Sequence, residues 1–314
     1  VIDPNDSAAA PPRPKIGLAL GGGVARGWAH IGAIRALLKH GFEPDIVAGT
    51  SIGALVGGCY LAGALDPLED WARSLTKRRM LGYLDVVLNG SGLVGGKKLE
   101  QVMREHLDGL TIEGLPKPFI AVCAELATGH ELWLRKGDLI EALQASFALP
   151  GVFAPKKRDR RWLIDGALVN PLPVSVCRAM GARLVIAVGC HADAFGHAAV
   201  RRRERFEDLE FVEGEDLRDA AKNQPAQRFM MRQLFGASAK TPGIGAVMLA
   251  SLNIVMDRLT RSRLAGDPAD VTILPRIGDV GLLDFDRADD LIARGAAAVE
   301  HELPILEEAM MILS

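Results

Sequence analysis

Apolar positions fall first into a short continuous run, Ile16–Leu20, which gives way to Gly21, Gly22 and Gly23 and then to Ile31, Ile34, Leu37 and Leu38. An unbroken apolar run bounded by glycine predicts a buried strand, and the helical spacing after it predicts a helix beginning near Arg26. Gly41 suits the left-handed position that ends a helix. Residues 45–48 then read as a second strand, and residues 54–62, apolar and small, as a second helix. Strand, tight turn and helix therefore occur twice in succession near the start.

Residues 68–80 and 97–107 predict surface helices of mixed charge on either side of the glycine-rich stretch 90–96. Residues 119–123 and 131–134 predict two strands, joined as a hairpin around Thr128 and Gly129. A helix is expected over 139–147, ended by Leu149-Pro150-Gly151, and a strand over 162–164 that runs into Asp165-Gly166. Residues 183–189, rich in β-branched side chains, predict a strand buried on both faces. Alternating strands and helices imply an α/β fold with a central, mainly parallel sheet. Residues 201–219 are dense in both charges and read as a solvated loop or helix face. The stretch 241–256 is its opposite, an apolar helix with Met248, Leu249, Leu252 and Met256 along one face. Core packing is the expectation there, with peripheral contact to a membrane as the second reading. A helix of alternating charge is expected over 287–313, and no internal repeat is found.

Composition narrows the class. With 314 residues, 49% of them hydrophobic and 24% charged, the chain can bury a substantial core. The 37 basic and 39 acidic residues nearly cancel to a net charge of -2, which offers no footprint for nucleic acid. Cys59, Cys123, Cys177 and Cys190 stand singly in apolar surroundings, without a paired motif or zinc spacing, and are expected as reduced core residues. That usage favours a reducing compartment, the cytoplasm by default. Residues 1–14, rich in Asp, Ala and Pro, have neither a basic start nor an apolar run of signal-peptide length and are expected as a disordered leader. No stretch reaches the roughly 18 apolar residues of a membrane span.

Two turns carry candidate chemistry. Gly49-Thr50-Ser51-Ile52-Gly53 has the form of a nucleophile elbow, in which a serine on a sharp strand-to-helix turn projects its hydroxyl clear of the sheet. Gly49 and Gly53 keep the flanking positions small, and the helix N-terminus favours negative charge beside Ser51. The glycine loop at 21–23 likewise ends a strand and opens a helix, so its N–H groups can converge on an anion. A dinucleotide fingerprint would need glycine where Arg26 stands and an acidic residue after the second strand, where Ser51 stands. The loop therefore reads as an oxyanion hole, with Gly21, Gly22, Gly23 and Ile52 as candidate donors. Arg26 either attracts a substrate phosphate or holds the loop through backbone carbonyls. His30 is read as a structural histidine.

A serine nucleophile needs a proton acceptor. Among histidines, His191, His197 and His301 follow the elbow, and His191, at the end of a buried strand, is the best placed of them. Against a Ser-acid-His order stands the topology, because only one strand and one helix precede the elbow strand. Asp165, just past a strand and followed by Gly166, is the carboxylate alternative.

The segments Gly21-Gly22-Gly23-Val24-Ala25-Arg26-Gly27, Gly49-Thr50-Ser51-Ile52-Gly53 and Asp165-Gly166-Ala167 together resemble, in order and spacing, the three motifs of patatin-like phospholipases. Residues 146–155 are similar to the segment before the Asp motif in bacterial members and in neuropathy target esterase. The resemblance implies a three-layer α/β/α fold and one patatin-like domain over 15–314, with 15–190 as its catalytic core. It further implies a Ser51–Asp165 dyad without catalytic histidine and hydrolysis of acyl esters in phospholipids or lysophospholipids. No cofactor is implied, calcium included. Acyl transfer through the same serine, or a silent regulatory or scaffolding role, are the other readings of the same residues.

Overall fold

The computed structural model describes residues 13–76, 79, 92–94, 97–191 and 244–313; the charged stretch 201–219, His197 and nearly all of the expected leader lie outside them. In chain order the elements are β1 (Ile16–Leu20), a 3-10 turn (Val24–Trp28), α1 (Ala29–Lys39), β2 (Ile46–Thr50), α2 (Ile52–Leu61) and α3 (Leu65–Ser74). Then come β3 (Gly92–Val94), α4 (Lys97–Leu107), β4 (Phe119–Glu125), β5 (Glu131–Leu134), α5 (Leu139–Ser146), β6 (Gly151–Phe153), β7 (Lys156–Arg158) and β8 (Arg161–Asp165). The described chain finishes with α6 (Val174–Ala179), β9 (Leu184–Val188), α7 (Ile244–Gly266), β10 (Val271–Ile273) and α8 (Ala288–Leu313).

Strands buried on both faces must alternate their side chains between two cores. In β1 and β9, Ile16, Leu18, Leu20, Leu184, Ile186 and Val188 enter one core with the apolar faces of α1, α2 and α8. Ala19, Val185 and Ala187 enter the other, with Val174, Val176 and Cys177 of α6. The result is a mixed sheet between two helical layers. Strands β10, β9, β1, β2 and β4 are parallel neighbours in that order, and β5, β8 and β7 add antiparallel pairs.

β4 organises the centre. Along one edge it pairs with β5 through residues 121–124. Its other edge is shared: β2 occupies it up to Thr50 opposite Val122, and β8, running the other way, takes it over with Asp165 opposite Cys123. The C-terminal ends of β2 and β8 therefore meet head to head on consecutive β4 residues.

The C-terminal helix packs where α1 allows unusually close approach. A Cβ on Gly32 would overlap the backbone of Ile292, and one on Gly295 the carbonyl of Ala29. The first helix is preceded by a 3-10 turn rather than starting at Arg26, α3 starts at Leu65 and ends at Ser74, and β2 extends to Thr50. Strands β3, β6, β7 and β10 and helix α6 have no counterpart in the sequence pattern; β3 lies inside the glycine-rich stretch 90–96 and pairs with β6. All four cysteines are buried and unpaired. Among the described residues no helix is long and apolar enough to cross a membrane.

Candidate active site

The strand junction on β4 puts two turns face to face. Ser51 follows β2 with φ 57 and ψ -126, a backbone region costly for any residue with a side chain. The turn can be this tight because its neighbours are glycines. A Cβ on Gly53 would overlap the Leu20 carbonyl and one on Gly49 would lie 2.5 Å from the Ala54 nitrogen. Gly166, after β8, is as constrained, since a Cβ there would overlap the Val122 carbonyl.

Ser51 Oγ donates to Asp165 Oδ2 at 2.6 Å, and the Ala167 N–H donates to Asp165 Oδ1 at 2.8 Å. Both carboxylate oxygens are thus held. Asp165 is 1% exposed, and burial pushes its carboxyl up to about 6, against the opposing pull of the Ser51 hydroxyl and the Ala167 N–H. Such a group ionises near neutrality, the range suited to proton exchange with a hydroxyl.

Ser146, at the end of α5, accepts the Ser51 N–H at 2.9 Å and donates its own hydroxyl to the Val122 carbonyl at 2.6 Å. It fixes the strained elbow to β4. Thr50 Oγ1 donates to the Asn170 carbonyl, and Asn170 Nδ2 to Glu131, so the segment after Asp165 is tied to β2 and β5 as well. Ser146 opens the segment singled out by the family resemblance, yet nothing in its spacing marks it as the partner of an N–H far back in the chain. Asn170 is equally unmarked.

The glycine loop lies alongside. A Cβ on Gly22 would stand 3.5 Å from Ser51 Cβ. The expectation for its donors needs correction: the Gly21 N–H donates to Val188 O, continuing the β1–β9 pairing, and the Gly22 N–H donates to Pro171 O in the loop that follows Asp165. The N–H groups of Gly23 and of Ile52, the first residue of α2, meet no backbone acceptor among the described residues. Arg26 is buried and donates through Nε to the Val280 carbonyl at 2.8 Å, tying the loop to the segment before α8. His30 contacts the Gly21 carbonyl through Nε2 at 2.8 Å.

Of the rival bases, His191 borders the glycine loop: a Cβ on Gly22 would stand 3.8 Å from its Nε2. His191 is buried, with Nδ1 3.3 Å from Asn253 Oδ1 on α7 and Nε2 without a partner among the described residues. Burial, and then the Arg26 charge, push it down to about 4. His301 lies exposed on α8 beside Glu302. Among the described residues no cluster of His, Cys, Asp and Glu could hold a metal ion.

The family model "Patatin-like phospholipase" matches residues 18–178. The chain belongs to the patatin-like phospholipase family. It is 33% identical to an uncharacterized NTE family protein of Mycobacterium bovis, over 94% of this chain and 92% of that one. It is also 31% identical to neuropathy target esterase sws of Drosophila melanogaster, over 55% of this chain and 13% of that much longer protein. The crystal structure of VipD from Legionella pneumophila is similar over 95% of this chain and 67% of that one, with a TM-score of 0.49 and 13% identity. Membership sets the chain among lipid hydrolases, and the elbow, the glycine loop and the Asp165 turn all fall within the matched residues or at their rim.

Proposed function

We propose that this protein hydrolyses acyl esters of phospholipids or lysophospholipids through an acyl-enzyme on Ser51, with Asp165 as the only general base. The observation that carries this reading is the 2.6 Å hydrogen bond from Ser51 Oγ to Asp165 Oδ2 at a strained elbow. Asp165 takes the Ser51 proton as Oγ attacks the ester carbonyl carbon. The oxyanion that forms is received by the N–H groups of Gly23 and Ile52, the latter also at the positive end of α2. Collapse breaks the ester C–O bond, and the departing alkoxide takes the proton from Asp165. Water then attacks the acyl carbon, giving its proton to Asp165, and Ser51 recovers that proton as the fatty acid leaves. A buried carboxylate serves here without histidine because burial has already moved it into the range where it can take up and return a proton.

The test uses a p-nitrophenyl acyl ester and a fluorophosphonate label. Ser51→Ala should lose both turnover and labelling, and Asp165→Asn should lower kcat/KM by at least about a thousandfold. Full turnover in either variant would refute the dyad. His191→Ala should retain most of its activity. Near-complete loss in that variant, with the fold intact, would restore a histidine base.

A further inference from the structure

We infer that the β7–β8 hairpin is a docking surface for an anionic phospholipid bilayer. The hairpin reads Lys156-Lys157-Arg158-Asp159-Arg160-Arg161-Trp162, so five cations face a single carboxylate in a chain whose net charge is -2. Asp159 and Arg160 form its tip with φ of 46 and 66, the tight two-residue turn that brings the paired strands close. Of the cations, Arg158 is engaged with the Lys136 carbonyl and Arg161 lies 3.6 Å from Glu125. Lys157 and Arg160 make no ion pair among the described residues.

An exposed aromatic stands in the middle of this charge. Trp162 pairs with Lys157 across the hairpin, with the ammonium 5.7 Å from the ring centroid, and 49% of the residue is open to solvent. Side chains alternate along a strand, and pairing carries the alternation from strand to strand. Trp162 therefore shares its sheet face with Ile164 and Ala124, and through β4 with Val122 and its partner Trp133, itself 36% exposed. Leu126, whose N–H donates to the Trp162 carbonyl, is 52% exposed. Trp133 donates its indole N–H to Glu131, so the basic neighbour belongs to Trp162. A half-exposed tryptophan beside cations suits the headgroup level of a bilayer, where the ring is partly desolvated and the cations meet phosphate.

A simpler account would be edge protection. β7 ends the sheet path, and lysines on an edge strand discourage pairing with other chains. That account explains Lys156 and Lys157 but not Arg160 and Arg161 beyond β7, nor an exposed tryptophan among them, which would itself favour association. The choice of a bilayer over another polyanion rests on the lipid-hydrolase reading. The position agrees with it, because β8 runs from Arg161 to Asp165 and spans about 13 Å.

The experiment is co-sedimentation of the full chain with vesicles of phosphatidylcholine alone and of phosphatidylcholine with phosphatidylglycerol, alongside a heparin column. The wild-type chain should partition onto the anionic vesicles only, and less so as salt rises. The double variant Lys157→Glu, Arg160→Glu keeps a charged edge, so it should keep the wild-type oligomeric state and hydrolyse a soluble p-nitrophenyl ester at the wild-type rate. It should partition at least about tenfold more weakly, and Trp162→Ala should also weaken binding. Equal partitioning of wild type and double variant, equal partitioning onto neutral vesicles, or retention on heparin without vesicle binding would each overturn the proposal. A chain that binds anionic vesicles but hydrolyses no ester would instead refute the hydrolase reading and leave the surface standing.

Discussion

Asp165 is where a single residue decides most. Its carboxyl is held by one hydroxyl and one backbone N–H in a site closed to solvent, and burial outweighs both, raising it to about 6. In the proposed dyad only the ionised form can accept the Ser51 proton, so activity should be lost as pH falls through that value. A profile of kcat/KM against pH should show an acid limb near 6, with a tenfold fall per unit below it. The alternative base predicts a different curve, because His191 is pushed down to about 4 and would keep the enzyme active well into acid. A limb near 4 would therefore count against Asp165. Ser51 itself was readable from the sequence, since the glycines flanking it and the apolar runs before and after it are local. Asp165 was not readable to the same degree: an Asp-Gly turn is common, and topology together with family likeness, rather than its own surroundings, raised it above His191.

Elements explain why the two side chains meet. β2 and β8 arrive from opposite directions on one edge of β4, and their ends abut at Val122 and Cys123. The elbow is then clamped by Ser146 from α5. Ser146→Ala removes the acceptor of the Ser51 N–H in a buried site, a loss of about 1–3 kcal/mol. It should lower both the melting temperature and kcat, the latter on the order of tenfold, with KM little changed. Stopped or steady-state kinetics beside a thermal melt would check this, and unchanged kcat would mean that the elbow holds without its clamp. None of this pairing has a local signature, because it joins residues far apart in the chain. α7 shows a different limit of periodicity. Leu249 and Met256 are buried, but Met248 is half exposed, as are Val247, Ile254 and Val255 on the outer side. The inner side instead carries Asn253, Asp257 and Thr260, all buried, with Asn253 beside His191. An apolar count could not orient this helix, because the face that packs inward is partly polar.

Across the whole molecule, the last helix reaches back to the first. Gly32 and Gly295 let α1 and α8 approach until backbone meets backbone, and α1 is joined through the 3-10 turn to the glycine loop that His30 and Arg26 secure. Gly295→Ala places a methyl group against the Ala29 carbonyl and should cost about 1–3 kcal/mol by overpacking. A melting temperature lowered by a few degrees, together with reduced turnover as the loop shifts, is the expected result; an unchanged melt would show that the helices can separate freely. By itself the sequence determined the repeated strand-turn-helix units, the serine elbow, the glycine loop and the α/β class, because each is written in residues that are neighbours in the chain. The tertiary structure decided which N–H groups of the loop remain open, what clamps the elbow, how α8 docks, and that Ser51 Oγ donates to Asp165 rather than to His191, which meets Asn253 through Nδ1. Those outcomes depend on strand pairing and burial between distant segments, and a linear pattern of apolar and polar positions carries neither.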